Sequence, residues 1–558
     1  MKFKQPSSGQ LPFIDRALTH SMAAHGHNIL QQERQAEHLS DGPIQQKKTD
    51  SVTLQQYSTT LLMGRLPAPP CRILGVGTGL TAICASLDQK GYQVCSLLQE
   101  EQNTDQPNDR IEAQPRDAFQ RLEDLAAVRN NFDVLLFQES VRAIEPLSLF
   151  NKGLDLLPVG GSLLIMDEFS SCRQPGPFQA GLHLLEDFLA LAKRMGFELV
   201  EQLDLSVKET LVPDHQEKYE SGQSCYVFLY FVKQQLPTWR LQLLGENHIP
   251  DMLVLFEQTF GHSMSPAMWR WKYGAGRGHA IGAWREGRLI AHYGGMVRKI
   301  LYFGQPQTAV QIGDVMVDKA ERGTLTKKGP FFLMAATFLE RYIGYGKPYL
   351  LGFGFPNERA MKVAERLHLY AEVGHMVELE WPPLAKTPHW QTRLQVIDKA
   401  SAEQTWVATA IDQCWRDMSV SLREGIVGIR DWRYLQKRYL HHPHHQYQVV
   451  LVINRFGGKV RGVLVLRHDS NGCEIVDLVA PLNEIPLLVI HARRVTGISG
   501  DYRLFCRITE RFIAHFTATG GIRQTLDIHI PTNIWSAGPT PTMLRDHWWL
   551  MSGDTDFR

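Results

Sequence analysis

Two stretches of this 558-residue chain combine residue types that bind phosphate and nucleotides. The first, Gly75-Val76-Gly77-Thr78-Gly79, follows the strand-like run Cys71 to Leu74 and opens an amphipathic segment. Glycine lets the backbone approach a ligand without a Cβ in the way, and a helix start offers unpaired N–H groups to an anion. The spacing alone is ambiguous, because Gly77, Gly79 and Ala82 also satisfy the dinucleotide pattern GxGxxA, which keeps NAD or FAD as a rival ligand. In the second stretch, an apolar run from Gly313 to Val317 enters a loop carrying Arg322, Gly323, Lys327, Lys328 and Gly329, and an apolar helix begins near Pro330. Cations beside helix-start amides suit a pyrophosphate.

Those loops need elements to hold them. From Arg72 onward, RILGV, TAICASLDQKG, YQVCSLL, FDVLLF and SLLIMDEF alternate short apolar runs with amphipathic segments, the pattern of a parallel sheet flanked by helices. Gln138, Glu139 and Ser140, with Asp167 and Glu168, fall at the ends of the fourth and fifth runs, where ligands sit in open parallel sheets. Glu139 is the candidate there to orient or deprotonate a nucleophile; a helix cap or solvated loop charge is the plainer reading for each of these residues. Phe13, Ile14, Leu18 and Met22 have helical spacing and predict a helical extension over 1–60. Domain boundaries are expected near 236, in QQLP, and near 385, in EWPPLAKTPHW, so the units are 61–235, 236–385 and 386–558. The last two align as copies, WRWKYGAGRGHAIGAWREGRLIAHYGGMV against QKRYLHHPHHQYQVVLVINRFGGKVRGVLVL.

Composition narrows the classes. With 59 Lys+Arg against 58 Asp+Glu, no basic block forms the footprint of a nucleic-acid binder. The eight cysteines form no CxxC pair and several lie in apolar runs, which predicts a reducing compartment. The N-terminus lacks a continuous apolar core and no run of about 18 apolar residues occurs. A cytoplasmic protein without membrane or nucleic-acid partners is expected. His441-His442-Pro443-His444-His445 reads as a turn, with no acidic or thiol ligand close in sequence to make a metal site.

The glycine loop, the acidic pair Glu100-Glu101 after the second strand, Asp117 after a third, and FDVLLFQES and GGSLLIMDEF together resemble class I methyltransferases. The resemblance implies a Rossmann-like sheet binding S-adenosylmethionine. Gly75, Gly77 and Gly79 would lie at its amino-acid end, Glu100 at the ribose, Asp117 at the adenine, and Gln138 nearby. The family's acidic residue two positions before the first glycine is Ile73 here. The second stretch resembles the GNAT acetyltransferases, whose V-x-x-x-x-R-G-x-G-x-G/A loop cradles the pyrophosphate of acetyl-CoA. Val317, Arg322, Gly323 and Gly329 match in a longer loop; Val315, Lys327 and Lys328 flank it, and Asn357 stands in its usual place after the next strand. Asp314 on the strand is the candidate general base or amine anchor, since an amine must be neutral to attack a thioester; the plainer reading is a buried, hydrogen-bonded structural carboxylate. The family's tyrosine acid falls on Ala364, and Tyr370 is the substitute.

The third unit lacks such a loop, reading EIVDLVAPLNEIPLLVIHARRV, and resembles the second lobe of tandem GNAT and Fem-type proteins, in which one lobe keeps the donor site. Trp432, Arg433, Tyr434 and the segment DHWWLMSGDTDFR either line an acceptor pocket or pack the core. The expected fold is α/β, a Rossmann-like methyltransferase sheet followed by two GNAT-like α+β lobes. The leading functional expectation is a bifunctional transferase, methyl from S-adenosylmethionine and acyl from acetyl-CoA, acting on a small-molecule or carrier-bound acceptor. The alternatives are an acyltransferase with a noncatalytic N-terminal domain, and a noncatalytic protein that keeps both folds.

Overall fold

The computed structural model describes residues 59–77, 80–97, 132–172, 181–206, 219, 222–323, 326–384 and 390–555. The chain divides into two compact units, Met1–Gly64 with Glu209–Asp214, of which only 59–64 are described, and the remainder, to which everything below refers. Apart from its last two positions, the expected extension over 1–60 lies outside the described residues, as do Gly79, Glu100 and Asp117.

The first sheet comprises β1 (Arg72–Val76), β2 (Gln93–Leu97), β3 (Val134–Gln138), β4 (Ser162–Ser170), β5 (Phe197–Asp204) and β6 (Ser224–Lys233). Between them run α1 (Thr81–Gln89), α2 (Pro146–Leu156) and α3 (Leu185–Arg194). The strand order is β2-β1-β3-β4-β6-β5. β1 to β4 pair in parallel, and β6 lies antiparallel between β4 and β5. Strands covered on both faces need apolar side chains on both; β3 and β4 are buried at every position and carry the apolar runs VLLF and LLIM, with the polar Gln138, Asp167 and Glu168 towards their C-terminal ends. α2 starts where the Glu145 carboxylate caps Leu147 N and Ser148 N, with Pro146 preset for the first turn.

The second sheet gathers β7 (Arg240–Leu243), β8 (Gly278–Arg285), β9 (Arg288–Tyr302), β10 (Gln305–Val317) and β11 (Leu351–Phe353). α4 (Ile249–Phe260) and α5 (Pro266–Tyr273) precede β8; α6 (Pro330–Tyr342) joins β10 to β11; α7 (Glu358–Arg366) leads to β12 (Tyr370–Trp381). The order then repeats: β13 (Thr392–Val396), α8 (Thr405–Ser421), β14 (Ile426–Gly428), β15 (Gln448–Asn454), β16 (Val460–Asp469), β17 (Gly472–Val479), α9 (Ile485–Ser499), β18 (Leu504–Thr509) and β19 (Ile522–Asn533), ending with β20 (Trp548–Trp549). Each copy is an antiparallel meander whose last strand pairs in parallel with the strand after the next helix, β10 with β11 and β17 with β18.

The copies are interlaced, so a division at 385 does not separate the sheets. β12 inserts between β18 and β19 in the third sheet, while β14 and β20 extend the second beyond β9. One apolar core runs from Phe150, Phe188 and Phe231 under the first sheet to Phe338 and Tyr342 on α6. No helix among the described residues is long and apolar enough to cross a membrane.

Candidate active site

β10 forms a ladder with β9 along its length but with β11 only over Ala309–Gln311. Beyond Gln311 the two parallel strands share no register, and Val315 on the unpaired stretch is 37% exposed. A register shift between Gly313 and Met316 marks a bulge, inside which Asp314 takes a left-handed φ of 49°. Bulges re-aim side chains and free backbone groups, and a non-glycine residue at such a φ is a strained position held by its surroundings.

What holds it is a buried polar cluster. Lys272 Nζ, at the end of α5, donates to both Asp314 oxygens at 2.8 and 3.0 Å, and Tyr273 Oη donates to Oδ2 at 2.7 Å. His292 on β9 donates from Nδ1 to the Asp314 carbonyl at 2.6 Å. Burial by itself would raise the Asp314 carboxyl, but Lys272, His292 and Tyr273 outweigh it and hold it below the usual carboxylate range. An acid so held, with both oxygens occupied, fits an anchor for the bulge and is a poor proton acceptor, so of the two readings of Asp314 the structural carboxylate fits and the general base does not. His292 Nε2 is buried and has no hydrogen-bond partner among the described residues, and burial lowers the imidazole pKa. Sequence reasoning missed Lys272, Tyr273 and His292; the one signal was polar residues inside the apolar runs WRWKYG and LIAHYGGMV.

After Val317 the chain enters the cation-bearing loop. Its carboxylates are engaged: Asp318 accepts from Ala320 N and Arg288, and Glu321 from Trp239 and Arg285. Arg322 Nε donates to the Val317 carbonyl at 2.8 Å, a bond that leaves its charge unneutralised. Arg322, Gly323, Lys327 and Lys328 are exposed, and Gly323 has open space where a Cβ would stand. Lys327 Nζ lies 5.3 Å over the Trp535 ring, and Gly329 is the N-cap of α6. Leu333 N bonds Gly329 O, so the Phe331 and Phe332 amides are the helix's unpaired donors. Exposed cations, an unobstructed glycine and these amides at one helix end fit a diphosphate.

Tyr370 opens β12; its hydroxyl is buried without a partner among the described residues, and burial pushes the phenol well above its ordinary range. Asn357 has a capping role, its Oδ1 accepting Ala360 N at 2.9 Å at the start of α7.

The far end of α6 is fastened to the first domain. Glu340 accepts from Arg194 and from Trp535 Nε1, Arg341 pairs with Glu145, and Lys347 with Asp187. In that domain, Gly77 (φ 136°) passes so close to β3 that a Cβ would stand 2.0 Å from the Gln138 carbonyl. Gly75 faces Leu80, and Ser140 Oγ donates to Val76 O at 2.9 Å. The loop thus brings Gly75, Gly77, Gln138, Glu139 and Ser140 together. Glu139 has a left-handed φ of 51° and accepts from Tyr226 Oη. The buried Gln138 Oε1 has no partner among the described residues, as a site awaiting a ligand donor would leave it. Asp167 is a cap: it accepts Val141 N, Arg142 N and Glu168 N, while burial raises its pKa against those bonds.

Residues 240–361 match the acetyltransferase (GNAT) domain family. No curated protein matches the sequence. Among solved structures, a probable N-acyltransferase of unknown function from Enterococcus faecalis is 14% identical, covering 53% of this chain and 72% of its own, at a TM-score of 0.41. The Saccharomyces cerevisiae N-myristoyltransferase with bound myristoyl-CoA is 9% identical over 54% of this chain and 83% of its own, at 0.37. The geranyl diphosphate C-methyltransferase of Streptomyces coelicolor is 14% identical over 35% of this chain and 89% of its own, at 0.27.

Proposed function

We propose that this chain transfers an acyl group from an acyl-coenzyme A thioester to an amine or hydroxyl of a small or carrier-bound acceptor, and that its N-terminal domain is a binding or regulatory module. The observation that carries the reading is the end of the β10–β11 ladder at Gln311, followed along β10 by an exposed Arg322, Gly323, Lys327, Lys328 loop that ends on α6, all within the GNAT-matching segment. The loop and the first amides of α6 would hold the diphosphate. Past the end of that ladder the pantetheine chain would meet Val315 and Val317, and backbone amides of β10 would polarise the thioester carbonyl. Attack by the acceptor forms the new C–N or C–O bond and breaks the C–S bond. His292 Nε2 takes the acceptor's proton, and Tyr370, kept protonated by burial, gives one to the leaving thiolate.

Thiol release from acetyl-CoA and longer acyl-CoAs, measured with pooled amine and alcohol acceptors, tests this. Acceptor-dependent release that falls in His292→Gln and Tyr370→Phe supports it; an active His292→Gln with an unchanged pH profile removes the histidine from the reaction.

A second reading, methyl transfer by the N-terminal domain, is favoured by the strand order of the first sheet and the unpartnered Gln138 Oε1. Gly75, Gly77 and Gln138 would hold S-adenosylmethionine, which supplies an electrophilic methyl group. Turnover of labelled methyl from this ligand separates the readings, since the regulatory-module reading tolerates binding but not methyl transfer.

A further inference from the structure

The tip of the β16–β17 hairpin carries a constellation remote in sequence from every residue used above. His468 and Cys473 stand directly opposite each other on the antiparallel pair, which puts their side chains on one face. Asp501 arrives from another direction, just past Gly500, the left-handed cap of α9. His468 Nδ1 and Asp501 Oδ2 are 2.7 Å apart, which places the proton on Nδ1 and leaves the Nε2 lone pair facing the Cys473 Sγ at 3.9 Å. Gln448 Oε1 is 3.4 Å from the same Nε2.

We propose that Cys473 and His468 bind a borderline-soft divalent cation, Zn2+ by preference, with Asp501 as the carboxylate that orients the histidine and Gln448 or water completing the shell. The separations are those of a coordination sphere. Tetrahedral zinc with Zn–S of about 2.3 Å and Zn–N of about 2.0–2.1 Å separates sulfur from nitrogen by about 3.6 Å, and nitrogen from an oxygen ligand by about 3.4 Å. One ligand atom from each of His468, Cys473 and Asp501 can be chosen so that all lie within 4.8 Å of one another. A carboxylate on the far nitrogen is the usual outer partner of a metal-bound imidazole.

Binding exchanges the S–H bond of Cys473 for an S–metal bond and releases one proton to solvent. The cation would staple the hairpin tip to the end of α9.

The full-length protein, stripped with chelator, is titrated with Co2+ under reducing conditions and then with Zn2+. The expected result is a thiolate-to-cobalt charge-transfer band, displaced by Zn2+, present in Cys95→Ser and Cys172→Ser and lost in Cys473→Ser. His468→Gln, at an exposed position, should lose it too and serves if the buried serine variant fails to fold. Asp501→Asn should bind about 10- to 100-fold more weakly. Absence of the band, its survival in Cys473→Ser or His468→Gln, or unchanged affinity in Asp501→Asn overturns the proposal.

Discussion

Removing the Asp314 carboxylate tests how the bulge in β10 is held. The Lys272 and Asp314 side chains are 2% and 6% exposed, so Asp314→Ala takes the carboxylate away from a buried ammonium and from the Tyr273 hydroxyl. Breaking a buried pair from one side costs about 3–5 kcal/mol, and placing alanine at a left-handed φ adds about 1–2 kcal/mol. Asp314→Asn keeps the shape, tolerates that φ and retains one acceptor, so its loss should be smaller. The double variant Lys272→Met/Asp314→Asn strands no charge and should lie well above the sum of the single losses, with a coupling of about 1–3 kcal/mol. Because the folded-state pKa of Asp314 is depressed, the pair's contribution is present above the unfolded carboxylate pKa of about 3.9 and fades only as pH falls below it. Urea denaturation followed by tryptophan fluorescence supplies the numbers. A loss under about 1 kcal/mol in Asp314→Ala, or strict additivity in the double variant, would refute the anchoring role.

Tyr370→Phe removes a buried hydroxyl that has no partner among the described residues, so stability should rise by about 1 kcal/mol while turnover falls; a destabilised variant would mean that the hydroxyl is bonded in the folded protein. Gly323→Ala should leave acyl-CoA binding unchanged, because the added Cβ meets nothing, whereas Gly323→Glu should weaken it at least about tenfold through charge; equal effects would remove the loop from the diphosphate site. Gly77→Ala should cost about 1–3 kcal/mol in backbone strain alone, read as a lowered thermal midpoint, and an unaffected midpoint would contradict the close approach to Gln138. His442 is pushed down to about 3, by burial first and then by Arg438, His445, His444 and Lys272. The unfolded chain therefore binds the extra proton first, and stability should decline as pH falls from about 6.5 toward 3, less steeply in His442→Asn.

The parallel strands of the first sheet were legible because burial on both faces leaves short continuous apolar runs, as ILGV in RILGV and LLIM in SLLIMDEF. The repeat was legible because α5, β8 and β9 share their order with the segment around β15 and β16. The interlacing was not: β12 joins the third sheet by hydrogen bonds between backbones, which no side-chain pattern announces. The loop from Arg322 to Gly329 stands out in the sequence because it gathers the residue types that phosphate sites use. Which of its two readings Asp314 takes was not legible, since that depends on Lys272, 42 positions away, and on His292, 22 positions away. Likewise, Asn357 and Asp167 carry residue types that serve caps and ligands alike, and only the amides beside them identify the capping roles.

The central claim is that the Arg322 to Gly329 loop receives an acyl-CoA. Calorimetric titration of the full-length protein with acetyl-CoA, and of Gly323→Glu and Gly323→Ala beside it, addresses it most directly. Saturable binding that Ala preserves and Glu abolishes is the predicted result; no binding to the wild-type chain, or binding indifferent to Gly323→Glu, would contradict the account.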